Sequence, residues 1–324
     1  MNTPVAALPF LATLISVPLP ILAAPILGSD LSTFTVLGAE TVTNVPVSTV
    51  DGNIGVWAGT SITGFLSTSG TTATDPNVTN GLVQSATPLA QSAQAQLTQA
   101  RNDLWSMGTG TVLGPNLTGL TLAPGVYTVS AAATNLAGTL TLDGGGDVNA
   151  AWVFNMTSTL ITSSYSVVNM INASSVAGLF WNVASSATIG TYSTFMGNVL
   201  ALTSISVNTG ATNACGRFFA DTAAVTLQMN TLSRTCFGDL AGSDGLSGGL
   251  DVTDDGEGGR TVAFVPAYGE GGQWVELVSA DEEGEGTVAL VSAAVSAVSL
   301  PGALGLLGLG VAGLIAVRRK PSTV

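Results

Sequence analysis

The chain of 324 residues is 46% hydrophobic and only 8% charged, with 40 Gly, two Cys and no His. Its formal charge is −13, yet eleven of the twenty acidic residues lie between Asp244 and Glu285, and only Arg101, Arg217, Arg234 and Arg260 precede a short C-terminal basic cluster. Without a basic surface nucleic acid is excluded as a partner; two Cys and no His supply no metal set, and no cofactor is expected.

In chain order, Ala6 to Ala24 is an apolar run ending in Ile21-Leu22-Ala23-Ala24, so residues 1–24 read as a secretory signal peptide. Residues 25–237 form the main domain. Pro88 at a first turn, followed by Leu89 to Trp105 without interior Gly or Pro, predicts one long helix. Leu89, Ala93, Leu97, Ala100 and Leu104 place an apolar stripe on it that needs a large apolar partner. Most of the remaining domain reads as short β runs, such as Thr139-Leu140-Thr141-Leu142 and Trp152-Val153-Phe154, separated by Gly, Asn, Ser and Asp.

These runs repeat. Ile189-Gly190-Thr191-Tyr192-Ser193-Thr194 aligns with Val207-Asn208-Thr209-Gly210-Ala211-Thr212; with one further insertion Gly197 meets Gly216 and Ala201 meets Ala220. Upstream, Leu160 to Tyr165 fits the same template with Thr162 in the first Thr place and Tyr165 in the second. A period near twenty residues with no helix inside it predicts a mainly β fold, a parallel β-solenoid with the helix packed alongside. Equivalent Thr residues then stand in ranks about 4.8 Å apart.

Cys215 and Cys236 close the domain. In an exported chain they read as one disulfide; two buried thiols are the alternative. Residues 238–297 are Gly- and acid-rich and predict an extended linker, in which Thr261 to Val265 and Trp274 to Val278 pair as a small hairpin. Residues 298–324 combine Pro301, an apolar stretch long enough to span a bilayer, and Arg318-Arg319-Lys320. This segment resembles the bacterial Pro-Glu-Pro-type sorting signal in its Val-Pro-Leu-Pro variant, with Ser299 replacing the first Pro. That resemblance implies transient membrane anchoring, cleavage by an exosortase, and release to the cell surface or matrix; a permanent single-span anchor is the alternative.

Phe34 to Asn44, Gly52-Asn53-Ile54-Gly55-Val56, Leu120 to Tyr127 and Gly197 to Thr212 together resemble the bacterial and fungal ice-binding-like family, in the family's order and with the helix in the family's place. The resemblance runs from about Leu27 to Arg234. It implies a discontinuous β-solenoid and, as function, ice binding through a flat face sometimes marked Thr-Ala/Gly-x-Thr/Asn. Thr209-Gly210-Ala211-Thr212 fits that pattern; Thr191-Tyr192-Ser193-Thr194 puts a bulky ring in the small position. The candidate ice-contacting residues are therefore Thr162, Thr191, Ser193, Thr194, Thr209 and Thr212. Thr offers a hydroxyl and a methyl on a stem that a strand already holds in one rotamer. A scaffold role remains the alternative, since Thr also suits strands and caps.

β-helices also carry polysaccharide-cleaving enzymes, whose chemistry wants clustered Asp, Lys or Arg. Here the only Lys is Lys320 and the domain's acids are scattered apart from Asp143-Gly144-Gly145-Gly146-Asp147, so no enzyme is expected. The rival function is a matrix or adhesion protein on the same solenoid, binding polysaccharide through Tyr165 and Tyr192.

Overall fold

A computed structural model describes residues 24–130, 133–254, 259–266, 274–280 and 286–291. Short strands, buried throughout on one face and alternating between buried and outward residues on the others, pair in parallel with their equivalents one coil away, so each coil supplies its neighbour's hydrogen bonds. Three faces result. One stacks Gly125–Val129, Ala151–Met156, Gly178–Val183, the later halves of Thr194–Ala201 and Thr212–Ala220, then Phe34–Gly38, Asn53–Val56 and Val83–Ser85. The second is a seven-stranded sheet of Ala133–Leu136, Thr159–Thr162, Ala187–Ile189, Ile205–Val207, Val225–Leu227, Thr41–Asn44 and Ser61–Thr63. The third runs from Thr121–Leu122 through Thr139–Asp143 and Val167–Ile171, takes the first residues of Thr194–Ala201 and Thr212–Ala220, and ends on Thr231–Ser233, Thr49–Asp51 and Val78–Thr79.

Order in space departs from order in sequence. The last coil lies directly on the first, with Phe218 opposite Val36, Val225 opposite Val42 and Thr231 opposite Thr49. The single helix, α1 (Pro88–Ser106), carries the chain from the N-terminal coils back to the far end of the stack. Its 19 residues span about 28 Å at 1.5 Å per residue, about six of the seven spacings of about 4.8 Å between Val83–Ser85 and Gly125–Val129. Thr87 caps it by accepting a hydrogen bond from the Ala90 amide, and Pro88 occupies the first turn, where its missing N–H costs nothing.

The apolar stripe of α1 finds the partner its sequence demands. Ala90, Ala93, Leu97, Ala100 and Leu104 are buried against Leu37, Val153, Phe180, Leu200 and Phe219 from the first face. Polar side chains then fix its position along the coils. Gln94 Nε2 donates to the carbonyls of Ala220 and Asp221, Asn182 Nδ2 to that of Arg101, and Asn155 Nδ2 to that of Leu104. Inside the solenoid, Tyr127, Phe154, Trp181, Phe195 and Phe218 stack in succession at centroid separations of 4.3 to 6.3 Å. Such a column fills the core and resists any slip of one coil over the next.

The segment expected to be a linker from residue 238 onward is packed as far as it is described up to 266. Leu246 is fully buried in the solenoid core, and Leu250 and Val252 join the apolar layer beneath α1. The physical reason is local: an acidic, Gly-rich stretch still carries apolar residues in alternation, and these found an uncovered edge. Leu250–Asp254 pairs antiparallel with Arg260–Phe264 and with Ala24–Pro25. The expected hairpin between Thr261 to Val265 and Trp274 to Val278 is thus replaced, since Trp274–Ala280 pairs instead with Gly286–Val291. Those two strands belong to a second compact unit. Residues 1–23 of the expected signal peptide and the expected sorting segment with Pro301, Arg318 and Arg319 lie outside the described residues. Among the described residues no helix is long and apolar enough to cross a membrane.

Cys215 and Cys236 are joined in a disulfide that ties the last coil to the segment following it. The neighbouring Arg217 is fully buried and donates to the carbonyls of Ser32, Phe34, Asp244 and Gly245 and to Asn198 Oδ1. Burial pulls its pKa down to about 10, and the Asp244 carboxylate opposes that shift.

Candidate functional site

Two of the three faces are open to solvent. The first is covered by α1 and, beside it, by the small sheet that Ala24–Pro25 shares with Leu250–Asp254 and Arg260–Phe264.

On the seven-stranded face the central strands turn two residues inward and one outward between them, as in buried Val225, half-buried Thr226 and buried Leu227, whereas Ser61–Thr63 at the sheet's end turns only Ile62 inward. Registered pairs carry this outward position across six coils as Ile161, Thr188, Ser206, Thr226, Thr43 and Thr63. The residues two positions earlier, Thr159, Ser186, Ser204, Ala224, Thr41 and Ser61, make a second small-residue rank beside it. Neither rank contains a charged or aromatic residue. The hydroxyls of Thr43, Thr63, Thr188, Ser206 and Thr226 form no hydrogen bond within the described protein, so they remain available to water. Pre-set rotamers on a repeat of about 4.8 Å make a rigid array of alternating hydroxyl and methyl groups.

The sequence-predicted residues lie at the corner between this face and the third. Thr194 and Thr212 are registered partners in a rank that continues through Thr231 and Thr49, and back through Val167 to Thr139. Thr191 and Thr209 are neighbours at the corner itself, where Thr209 Oγ1 donates to Gln228 Oε1 at 3.2 Å. The four therefore do not form one flat plane with two ranks; the first pair turns the corner and the second opens the third face.

Thr162 and Ser193 are corrected outright. Thr162 is 3% exposed, and its Oγ1 accepts from the Gly190 amide. The template was shifted by two residues: Thr162 is opposite Leu136, an inward position, and the Tyr165 amide bonds the Thr191 carbonyl, which sets Tyr165 beside Tyr192 rather than beside Thr194. Ser193 is 1% exposed and belongs to a buried polar ladder with Ser166 and the Ser163 carbonyl that shapes the turn.

Tyr165 and Tyr192 hold the same corner position in successive coils, both at positive φ (62° and 55°), and their rings stack at 5.5 Å. Gly210 takes that position in the next coil, where a Cβ would come within 2.4 Å of the Tyr192 ring. The rings therefore stack along the solenoid axis and present their edges outward. A flat sugar-stacking platform would need the opposite orientation.

Around the Asp143 to Asp147 turn there is an open depression of about 510 Å³, also lined by Asn172 and Ser174. Hydrogen bonds from Asn172 and the Gly145 amide hold the Asp143 carboxyl below its usual pKa. Among the described residues there is no group of three metal-ligating side chains.

The ice-binding-like family model matches residues 36–233. An ice-binding protein from Nostoc sp. (strain HG1) is 42% identical over 207 residues, covering 64% of this chain and 73% of that protein. One from Colwellia sp. is 33% identical over 223 residues, covering 63% and 81% respectively. Among solved structures, the ice-binding protein of the Antarctic ascomycete Antarctomyces psychrotrophicus superposes with a TM-score of 0.56 at 33% identity, over 63% of this chain and 95% of that one. The domain of Shewanella frigidimarina ice-binding protein 1 gives a TM-score of 0.58 at 30% identity, over 67% and 99%.

Proposed function

The chain belongs to the ice-binding-like family, and on that premise we propose that it binds ice through the outward side of its seven-stranded face. The observation that carries this reading is the registered rank Thr188, Ser206, Thr226, Thr43 and Thr63, whose hydroxyls are uncommitted and which, like the rank beside it, holds no charged residue. Ice is recognised by water held in lattice-compatible positions. A charged or mobile side chain disorders that layer, whereas β-branched residues on short paired strands lose little further freedom on contact. Each contact is weak, and the rank acts by number.

The test is direct. Thr226→Tyr, at the centre of the rank, places a ring above the plane; crystals grown with the full-length variant should remain unshaped while those grown with the parent protein become faceted. Unchanged shaping by a folded Thr226→Tyr protein would move the site elsewhere.

Export belongs to the same reading. It is supported by the disulfide, which persists in oxidising compartments, and by the apolar run before Pro25. Sorting at the C-terminus, by an exosortase through transient membrane anchoring, rests on the sequence around Pro301, Arg318 and Arg319. Mass spectrometry of the mature protein tests it, expecting loss of residues beyond Pro301. The polysaccharide reading loses its motive, because the tyrosines on which it stood are stacked on each other.

A further inference from the structure

We infer that Tyr165 and Tyr192 form an oxidative cross-linking site, where a one-electron oxidant couples the two phenols into dityrosine and so bonds two successive coils to each other. The inference is independent of which surface meets ice.

The chain has four Tyr, of which Tyr268 lies outside the described residues. Tyr127 is 7% exposed, its hydroxyl donates to the Ala123 carbonyl, and its ring stacks on Phe154, which is no phenol. Tyr165 and Tyr192 are the opposite case. They are 70% and 52% exposed and stack on each other, with ring centroids 5.5 Å apart and planes within 24°. Neither hydroxyl makes a hydrogen bond within the described protein. Among the described residues this is the only place where two phenols touch.

The backbone sets the pair apart from incidental packing. Both residues hold positive φ, 62° and 55°, a conformation that a bulky L residue adopts only with strain. Gly210 takes the same corner position in the next coil at φ 69°. Burial does not offset the strain, because both rings stay largely in solvent. What the arrangement secures is contact between two phenols at a corner that a reagent can reach. Strain held at an exposed pair of reactive groups points to chemistry rather than to packing.

The oxidant is a peroxide acting through a haem peroxidase, in keeping with the oxidising surroundings that the Cys215–Cys236 disulfide implies. Each phenol gives up one electron and its hydroxyl proton, becoming a phenoxyl radical with spin density on its ortho carbons. Tyr165, the more exposed, is oxidised first; Tyr192 refills it across the stack, and Tyr165 is oxidised again. The radicals join ortho carbon to ortho carbon, and each ortho hydrogen moves to the oxygen of its own ring. Two phenols thus lose two electrons and two protons, and one peroxide takes them up to give two waters. The rings swing apart about the new bond, which the open corner allows. A ring held in contact is present at a far higher effective concentration than a second chain, so the bond forms within one molecule.

Dilute full-length protein is treated with hydrogen peroxide and a haem peroxidase and, in parallel, with a photo-excited ruthenium complex and persulfate, a one-electron oxidant small enough to reach either ring. The parent should gain dityrosine fluorescence yet run as a monomer on a denaturing gel. Its peptide map should join the segments holding Tyr165 and Tyr192, with the loss of two hydrogens. Tyr165→Phe and Tyr192→Phe keep the stacked rings, so they guard the fold, and each should lose nearly all of that fluorescence. The coupled parent should unfold several-fold more slowly in denaturant than the untreated chain, whereas oxidised Tyr165→Phe should unfold like its untreated form. Dityrosine found only in covalent dimers, dityrosine kept within the chain by either Phe variant, or none under both oxidants overturns the assignment.

Discussion

The guanidinium of Arg217 donates through Nε to the carbonyl oxygen of Phe34 at 3.1 Å, joining the last coil of the solenoid to its first. The contact sits at the place where the stack is not covalently continuous. A slip there would put Thr43 and Thr226 out of register and break the rank on the seven-stranded face.

Arg217→Met is therefore expected to destabilise the protein by about 3–5 kcal/mol, the usual cost of removing one partner from a buried charged network. The Met stem replaces the apolar packing but leaves the carbonyls of Ser32 and Phe34 without their donor and the Asp244 carboxylate with Arg234 as its remaining cation. Denaturant unfolding measures the loss. Hydrogen exchange should show the Phe34–Gly38 strand opening before Gly178–Val183.

The disulfide holds the packed segment after residue 236 against the coil. Cys215 and Cys236 are separated by 21 positions, and a closed loop of that size typically contributes about 2–4 kcal/mol by restricting the unfolded chain. Replacing both by Ser should lower the unfolding midpoint accordingly. Ice shaping at low temperature should persist, because the ranks themselves are paired elsewhere.

Acid should act on the same seam. Burial alone would raise the Asp51 carboxyl, but hydrogen bonds from Thr235, Asn80 and Ser233, with the nearby Arg234 charge, hold it below the usual carboxylate range. A carboxylate lowered on folding contributes stability that is complete above its unfolded value of about 3.9 and is lost as pH falls through the folded value. Asp51→Asn should flatten that acid limb. With no His in the chain, activity should be level between about pH 5 and 8.

The register of Thr194 with Thr212, Gly197 with Gly216 and Ala201 with Ala220 was legible as a repeat, including the single insertion that the structure realises as an extra residue between Asn213 and Gly216. The helix was legible from its stripe. Thr43, Thr63, Thr188, Ser206 and Thr226 were missed because strands this short turn only one or two residues outward, and Thr226 meets Thr43 only after the chain has doubled back. Their signal is a polar residue between two buried neighbours, as in Ile205-Ser206-Val207, read at period two rather than as a Thr-x-x-Thr motif. Thr162 was misplaced by a template that set it opposite Thr191, 29 positions on, whereas the register of Ile161 with Thr188 makes that coil 27 positions long.

Ile161 offers a gain rather than a loss. It stands opposite Thr188, is 42% exposed, and puts a second carbon branch where the other five positions carry a hydroxyl. Ile161→Thr keeps the β-branch and the strand while adding a water-bonding group in register. Being exposed, the change should alter stability by no more than about 0.5 kcal/mol. The rank then offers six hydroxyls in place of five, so freezing-point hysteresis should rise at equal protein concentration. A fall instead, with the melting temperature unchanged, would mean that the end of the rank works through its apolar carbon rather than through hydrogen bonding to water.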